Sequence, residues 1–248
     1  MITTVSRIAT MGVLLMFVVA GAVQCAPAGG GGPSQRKDAA SSGAMRTPPP
    51  DAVILFDGKD LSKWQRPDGQ PAAWTVADGV MTVSRGNIVT KETFGDAWIH
   101  VEFMEPDMPN ARGQEKGNSG VYVQARYEIQ VLDSYGIKVP GRGDCGAIYG
   151  QYAPLVNANK PPLQWQTFDI IFRAPRVDAS GKVLEQGRMT VLQNDMVIHN
   201  NVELLGPTAG GDPNVAAPGP LLLQDHGHAL KYRNVWLVHL PLKGSDAY

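Results

Sequence analysis

Only two cysteines, Cys25 and Cys145, occur in 248 residues, and the first lies in an N-terminal apolar segment, so no disulfide framework can support the fold. Charge is scarce and balanced: charged side chains make up 18%, and 22 basic against 23 acidic residues give a formal net charge of -1. Without a basic stripe there is nothing to release counterions from a phosphate backbone, which excludes nucleic acid as a partner. Segments with a sustained helical period are missing as well. What is abundant is glycine (28) and proline (19), a composition that suits many short strands joined by tight turns. A hydrophobic content of 43% is enough for one sizeable core.

The N-terminus reads as an export signal. Arg7 precedes an uncharged apolar run from Ile8 to Val23, 16 residues long, short for a bilayer span of about 20. Two processing routes fit. Ala22-Val23-Gln24-Cys25 resembles a lipoprotein site at which Cys25 would carry a lipid, whereas Ala20-Gly21-Ala22 supplies the small-x-small pattern of ordinary cleavage. The expected location is therefore the periplasm or the outer membrane, with membrane contact only through a lipid anchor at Cys25. Residues 26–50 include Gly29 to Gly32 and Pro48-Pro49-Pro50 and have almost no large apolar side chains, so they read as a flexible tether that cannot offset its own ordering entropy. The expected organisation is a signal at 1–25, a tether at 26–50 and one domain at 51–248. Cys145 is expected to be a buried thiol, since no base stands near it in sequence.

From Asp51 onward, short alternating segments with turn signals between them point to an all-β sandwich or jelly roll. Expected strands are Val53–Phe56, Ala73–Val76, Val80–Ser84, Ala97–Met104, Gly120–Gln124, Tyr127–Leu132, Gln166–Ala174, Gly187–Gln193, Met196–Asn200, Leu221–Asp225 and Tyr232–Val238, with Asn194-Asp195 as a hairpin turn. Side chains alternate across a strand. In 120–132 the positions Val121, Val123, Ala125, Tyr127, Ile129 and Val131 are apolar and face the core, which leaves Tyr122, Gln124, Arg126, Glu128 and Gln130 on the other face. A polar outer face needs no function. A mixture of Tyr, Arg, Glu and amides nevertheless suits sugar hydroxyls and sugar faces better than a Lys/Glu/Thr surface does. Gln224 and His226 share a side of the following polar cluster Gln224-Asp225-His226-Gly227-His228. His226, His228 and Asp225 could also ligate a divalent metal, although that spacing is weak without a third ligand of known position.

Seven segments, in order and at matching spacing, resemble the 3-keto-disaccharide hydrolase family. They are Leu55-Phe56-Asp57-Gly58-Lys59-Asp60-Leu61 with Trp64, Trp74-Thr75-Val76-Ala77-Asp78-Gly79, Val101-Glu102-Phe103, Asn118-Ser119-Gly120-Val121, Tyr127 to Asp133, Gly146-Ala147-Ile148-Tyr149-Gly150, and Leu223 to Gly227 before Tyr232-Arg233-Asn234-Val235. The resemblance spans Ala52 to Leu240. It implies a concanavalin A-like jelly-roll sandwich of two curved antiparallel sheets with carbohydrate on the concave face. It also implies cleavage of a glycoside whose sugar carries a ketone at carbon 3, with no cofactor expected.

On that resemblance Glu128 and His226 are the expected acid–base pair, their order open. Arg126 is expected to stabilise enolate charge, and Glu102, Asn118, Tyr122, Gln124, Gln130, Asp133, Tyr149 and Gln224 to bind substrate. Plain structural roles are available to several: Asp133 can cap a turn, Asn118 can serve a loop and Tyr149 can cover core. The segment after Asn118-Ser119-Gly120, here Tyr122-Val123-Gln124, departs from the family pattern. The polar stretch from Met104 to Gly117 is expected to shape a lid. Three rival readings remain: a non-catalytic carbohydrate-binding module, a conventional glycosidase built on two carboxylates such as Glu102 and Glu128, and a structural or adhesion domain with no convergent pocket.

Overall fold

The computed structural model describes residues 44–215 and 218–242; the export segment, and the tether as far as residue 43, lie outside them. Fifteen strands follow in chain order: β1 Val53–Phe56, β2 Trp64–Gln65, β3 Thr75–Ala77, β4 Val80–Thr82, β5 Ile88–Phe94, β6 Ala97–Met104, β7 Ser119–Val123, β8 Tyr127–Val131, β9 Gln166–Arg173, β10 Arg176–Val177, β11 Val183–Glu185, β12 Arg188–Gln193, β13 Met196–Glu203, β14 Gly219–Leu223 and β15 Lys231–His239. A 3-10 turn at Gly113–Glu115 is the one helical element among the described residues. The fold is the expected all-β jelly-roll sandwich. Two main sheets form it, an eight-stranded one ordered β13-β12-β9-β6-β15-β4-β3 with β1 also on β15, and a five-stranded one ordered β2-β5-β14-β7-β8. All pairs in both are antiparallel.

Alternation decides which side chains fill the space between the sheets. Ile99, Val101 and Phe103 on β6, Phe168, Ile170 and Phe172 on β9, and Leu237 on β15 meet Val121 and Val123 of β7, Ile129 and Val131 of β8, and Leu221 and Leu223 of β14 in one buried cluster. Burying this much apolar surface, at about 25 cal/mol per Å², makes the register of each strand costly to slip, because a one-residue shift would turn the polar face inward. Asn194 and Asp195 adopt φ of 52° and 65° between the paired Gln193 and Met196, the two-residue turn expected of them.

Two departures matter. First, β5 was not among the expected strands: Lys91-Glu92-Thr93 interrupts its alternation, and its pairing with β14 is irregular between Pro220 and Leu222. Second, the expected face running through 122–130 is broken by a hairpin. Gln124 and Ala125 both have φ of 55°, and Arg126 N–H donates to the Val123 carbonyl at 3.1 Å. A Gln-Ala pair lacks the Asn-Gly or Asp-Gly signature of such a turn, so alternation alone runs straight through it.

Candidate functional site

The site starts from two rows of residues on the outer face of the five-stranded sheet. Cross-strand pairing aligns Val89 with Leu222, Leu222 with Tyr122, and Tyr122 with Glu128. One step along, Gly120 pairs with Gln130 and its carbonyl accepts from Gln224 N–H at 2.9 Å. Gly120 therefore stands in the middle of the grid with no side chain. A methyl group there would lie 2.6 Å from Glu128 Oε1 and 2.8 Å from the Tyr122 ring, so the carboxyl of Glu128 leans over space that only glycine leaves open.

Three loops raise walls around this floor. Gln114, on the 3-10 turn, donates from Nε2 to the Gly143 carbonyl (2.9 Å) and receives Asn118 Nδ2 at 3.1 Å. From the side of residues 206–212, Thr208 Oγ1 accepts from Glu128 N–H (2.9 Å) and the Ala209 carbonyl oxygen lies 3.2 Å from Tyr122 Oη. Tyr149 belongs to a third loop, tied down where its N–H donates to the Glu128 carbonyl at 3.1 Å, and its hydroxyl has no hydrogen bond to another described residue. The result is a cleft of about 120 Å³ lined by Gln114, Asn118, Tyr122, Glu128, Gln130, Tyr149, Ala209, Gln224 and His226. Larger hollows of about 340 and 400 Å³ lie among 54–63 and 61–91, the second at the β2 edge of the same sheet, where Gln65 pairs with Val89, but neither brings a carboxyl group together with a histidine. We take the smaller cleft as the site on chemical grounds.

Its electrostatics are those of a nearly dry carboxyl group. Burial raises Glu128 to about 7, with a hydrogen bond from Tyr122 pulling the other way; burial, with Glu128 next, pushes the Tyr122 phenol up strongly. The Gln130 amide lies between Glu128 Oε1 (3.2 Å) and the Ser119 carbonyl (2.8 Å) on one side and Gln114 Oε1 (2.9 Å) on the other. Gln224 Nε2 donates to Tyr122 Oη at 3.3 Å. His226 is exposed at the rim, its ring 6.0 Å from that of His228. The Nδ1 of His228 accepts from Asn118 N–H at 2.9 Å, and Asp225 spends its carboxylate on the N–H groups of Gly86 (2.7 Å) and Gly227 (2.8 Å). Asp225 thus shapes the turn that presents His226. Among the described residues no group of three or more His, Cys, Asp or Glu is placed to hold a metal ion.

Seven expected residues therefore meet in one cleft: Asn118, Tyr122, Glu128, Gln130, Tyr149, Gln224 and His226. Four do not. Glu102 lies on β6 with the opposite facing to Val101 and Phe103, on the outer face of the eight-stranded sheet, so the sandwich separates it from the cleft. Burial would raise its pKa, but bonds from His100, Asn234 and Arg233 outweigh that and hold it at about 2. Gln124 and Arg126 belong to the hairpin, where Gln124 donates to the Phe94 carbonyl (2.6 Å) and Arg126 to Gln124 Oε1 (2.7 Å). Asp133 pairs with Lys116 at 2.9 Å and accepts from Tyr135 N–H at 3.2 Å, the turn-capping role. Gln114, Gly120 and Ala209 went unidentified. Gln114 and Ala209 reach the cleft only through loop packing, and a strand glycine, a known mark of close approach, was the one available signal for Gly120.

Comparison with known proteins adds four findings. The signature of the family described as 3-keto-alpha-glucoside-1,2-lyase-like domain matches residues 51–238. A solved structure from Parabacteroides distasonis ATCC 8503, provisionally named a glycosyl hydrolase, is 40% identical with a TM-score of 0.72, over 77% of this chain and 85% of that one. A second from the same organism and with the same name is 22% identical with a TM-score of 0.54, over 76% and 99%; it shares the fold. No curated protein matches the chain.

Proposed function

The chain belongs to the 3-keto-alpha-glucoside-1,2-lyase-like family, and from that premise we propose that it cleaves 3-keto-glycosides by elimination followed by hydration. The family and its glycosyl-hydrolase relatives make this a carbohydrate-active, hydrolase-like domain. The observation that carries the finer reading is that, among the described residues, Glu128 is the single carboxylate lining the cleft. A conventional glycosidase needs two carboxyl groups about 5 to 9.5 Å apart across the bond, and Glu102, its best second candidate, is on the far face of the sandwich. Elimination needs only one base and one acid. A ketone at carbon 3 acidifies the hydrogen on carbon 2, a base takes that proton, and the electron pair delocalises onto the ketone oxygen. The enolate then re-forms the carbonyl and expels the substituent on carbon 1, whose oxygen collects a proton. Water adds to the resulting double bond, oxygen to carbon 1 and hydrogen to carbon 2, and the net result is hydrolysis.

In this reading Glu128 is the base. Its pKa of about 7 matches proton abstraction near neutral pH, since a base works best with a pKa near the operating pH. His226, exposed at the rim, protonates the leaving oxygen, and Tyr122, Tyr149 and the amides of Gln130 and Gln224 hold the sugar and the enolate. A cleft of about 120 Å³ is below the roughly 300 Å³ at which pockets enclose a whole ligand, so one sugar ring enters and the aglycone stays outside beside His226. The reading includes export, supported by the uncharged run Ile8 to Val23, with a lipid anchor at Cys25 as its membrane-attached form.

The test is turnover of a 3-keto-glucoside beside its unoxidised parent in deuterated water. We expect cleavage of the ketone only, with deuterium at carbon 2 of the product beyond that of a free-product control. His226→Asn should slow turnover by roughly two to four orders of magnitude. Equal cleavage of the plain glucoside would reject elimination, and binding without turnover would identify a carbohydrate-binding module instead.

A further inference from the structure

The other outer face of the sandwich carries a buried polar cluster that the cleft chemistry does not use. On the eight-stranded sheet, His100 of β6 pairs across to Asp169 of β9, with Nδ1 3.0 Å from Asp169 Oδ1, and stacks on Trp236 of β15 at 4.8 Å. One step along, Glu102 accepts from Arg233 Nε at 2.7 Å and from Asn234 Nδ2 at 2.8 Å. Such a cluster of ionised groups is expensive to bury unless every partner is present.

One of those partners comes from outside the sheet. Arg46 donates its backbone N–H to Glu102 Oε1 at 3.0 Å, and its carbonyl accepts from Asn234 Nδ2 at 2.8 Å. Its guanidinium reaches Asp195 Oδ1 at 2.6 Å and lies 3.7 Å from Asp169 Oδ2. Asp195 is itself fixed in the β12–β13 turn, where neighbouring Asn194 accepts from Thr167 N–H at 3.0 Å. The same residue is thus read twice, through its backbone and through its side chain. Between Arg46 and β1 stand Pro48, Pro49 and Pro50. Their rings fix φ, so less freedom is lost when Arg46 docks than a glycine-rich link would lose.

We propose that this face is a docking site for the chain's own segment 44–50, recognised through Arg46, and that the clasp fixes where the chain enters the domain. That point lies on the face opposite the cleft. The chain upstream of residue 44 therefore leaves the domain on the side away from the cleft. Recognition by the guanidinium is the distinctive part, because a passive strap held by backbone bonds alone would not depend on the side chain at 46.

Residue-resolved hydrogen exchange of the full-length chain tests this. The Arg46 amide, hydrogen-bonded to Glu102, should exchange at least about fivefold faster in Arg46→Gln than in the wild type, the change expected for losing a partly exposed ion pair of about 1 kcal/mol. Asp195→Asn should move the same amide in the same direction, while amides in β7 and β8 keep their protection. Arg46 is itself largely at the surface, so the variant tests the clasp without threatening the core. An increase of less than about fivefold at the residue-46 amide in Arg46→Gln, after correction for the intrinsic exchange rates of the two side chains, overturns the proposal.

Discussion

Glu128→Gln offers the most demanding test of the site, because it separates what the residue does for chemistry from what it does to the fold. Burial holds Glu128 at about 7 against an ordinary 4.5. At about 1.4 kcal/mol per unit of pH, that gap corresponds to roughly 3 kcal/mol. The sign follows from proton counting: between 4.5 and about 7 the folded protein binds a proton here that the unfolded chain has released, so stability falls as pH rises through that window. Glutamine does not titrate. The advantage of Glu128→Gln over the wild type should therefore be smallest near pH 4.5, grow by roughly 3 kcal/mol on the way to pH 7, and stay level above it. Glu105, which burial raises to about 8, titrates in both proteins and cancels in the difference. The assay is urea unfolding of both proteins across this range, alongside turnover of a 3-keto-glucoside. The variant should be roughly two to four orders of magnitude slower at pH 7 and above, and the gap should narrow below pH 7 as the wild-type carboxylate takes up its proton. A stability difference independent of pH would refute the claim that Glu128 is held as a strained, nearly dry carboxyl group, whatever the activity.

Other outcomes follow from the same geometry. Gly120→Ala, whose methyl would fall 2.6 Å from Glu128 Oε1, should leave a folded protein in which turnover drops by roughly a hundredfold, the cost of misplacing a catalytic group by about 1 Å; unchanged kcat would remove Glu128 from that position. Glu102→Gln should destabilise the protein by about 3 kcal/mol at neutral pH, since it strips a buried ion network of its anion, while kcat/KM of the folded fraction stays the same; a specific loss of activity would return Glu102 to the site. Intact-mass analysis of the envelope fraction should find the chain without Met1 to at least Ala22, and a mass fitting a lipid on Cys25 would select the anchored form; a retained Met1 counts against export.

What the sequence conveyed was whatever depends on neighbours within a strand. Val121, Val123, Ile129 and Val131 announced the core face of β7 and β8 by alternation, and with it the outward facing of Tyr122, Glu128 and Gln130. Alternation carries no information about where a strand stops. The turn at Gln124 and Ala125 uses two residues at positive φ that do not advertise it, and so Gln124 and Arg126 were carried onto a face they do not share. Nor does alternation say which sheet a strand joins. Glu102 faces outward as expected of its neighbours, but outward from the eight-stranded sheet is away from the cleft. Gln114 and Ala209 lie in loops whose placement depends on hydrogen bonds to Gly143 and Tyr122, contacts between segments far apart in the chain that no local pattern records.

For the proposed elimination, the arrangement of the cleft also accounts for one carboxylate being enough. A flat, solvated sheet face would leave Glu128 near its ordinary pKa, too weak a base for a carbon acid at neutral pH. Three features change that. The walls carrying Gln114, Tyr149 and Ala209 exclude water from Glu128 and leave it 4% exposed, which disfavours the anion. Gly120 lets the carboxyl lean over the floor of the cleft, where a ring bound against the sheet would present carbon 2. The hydroxyl of Tyr122 then tempers the effect, so that the pKa stops at about 7 and an ionised fraction persists at neutral pH. A second carboxylate in so small and dry a space would drive the two pKa values apart and leave one of them protonated. The proposed second proton carrier, His226, stands instead at the exposed rim, where an imidazole acting in the proposed elimination can exchange protons with water after each turnover.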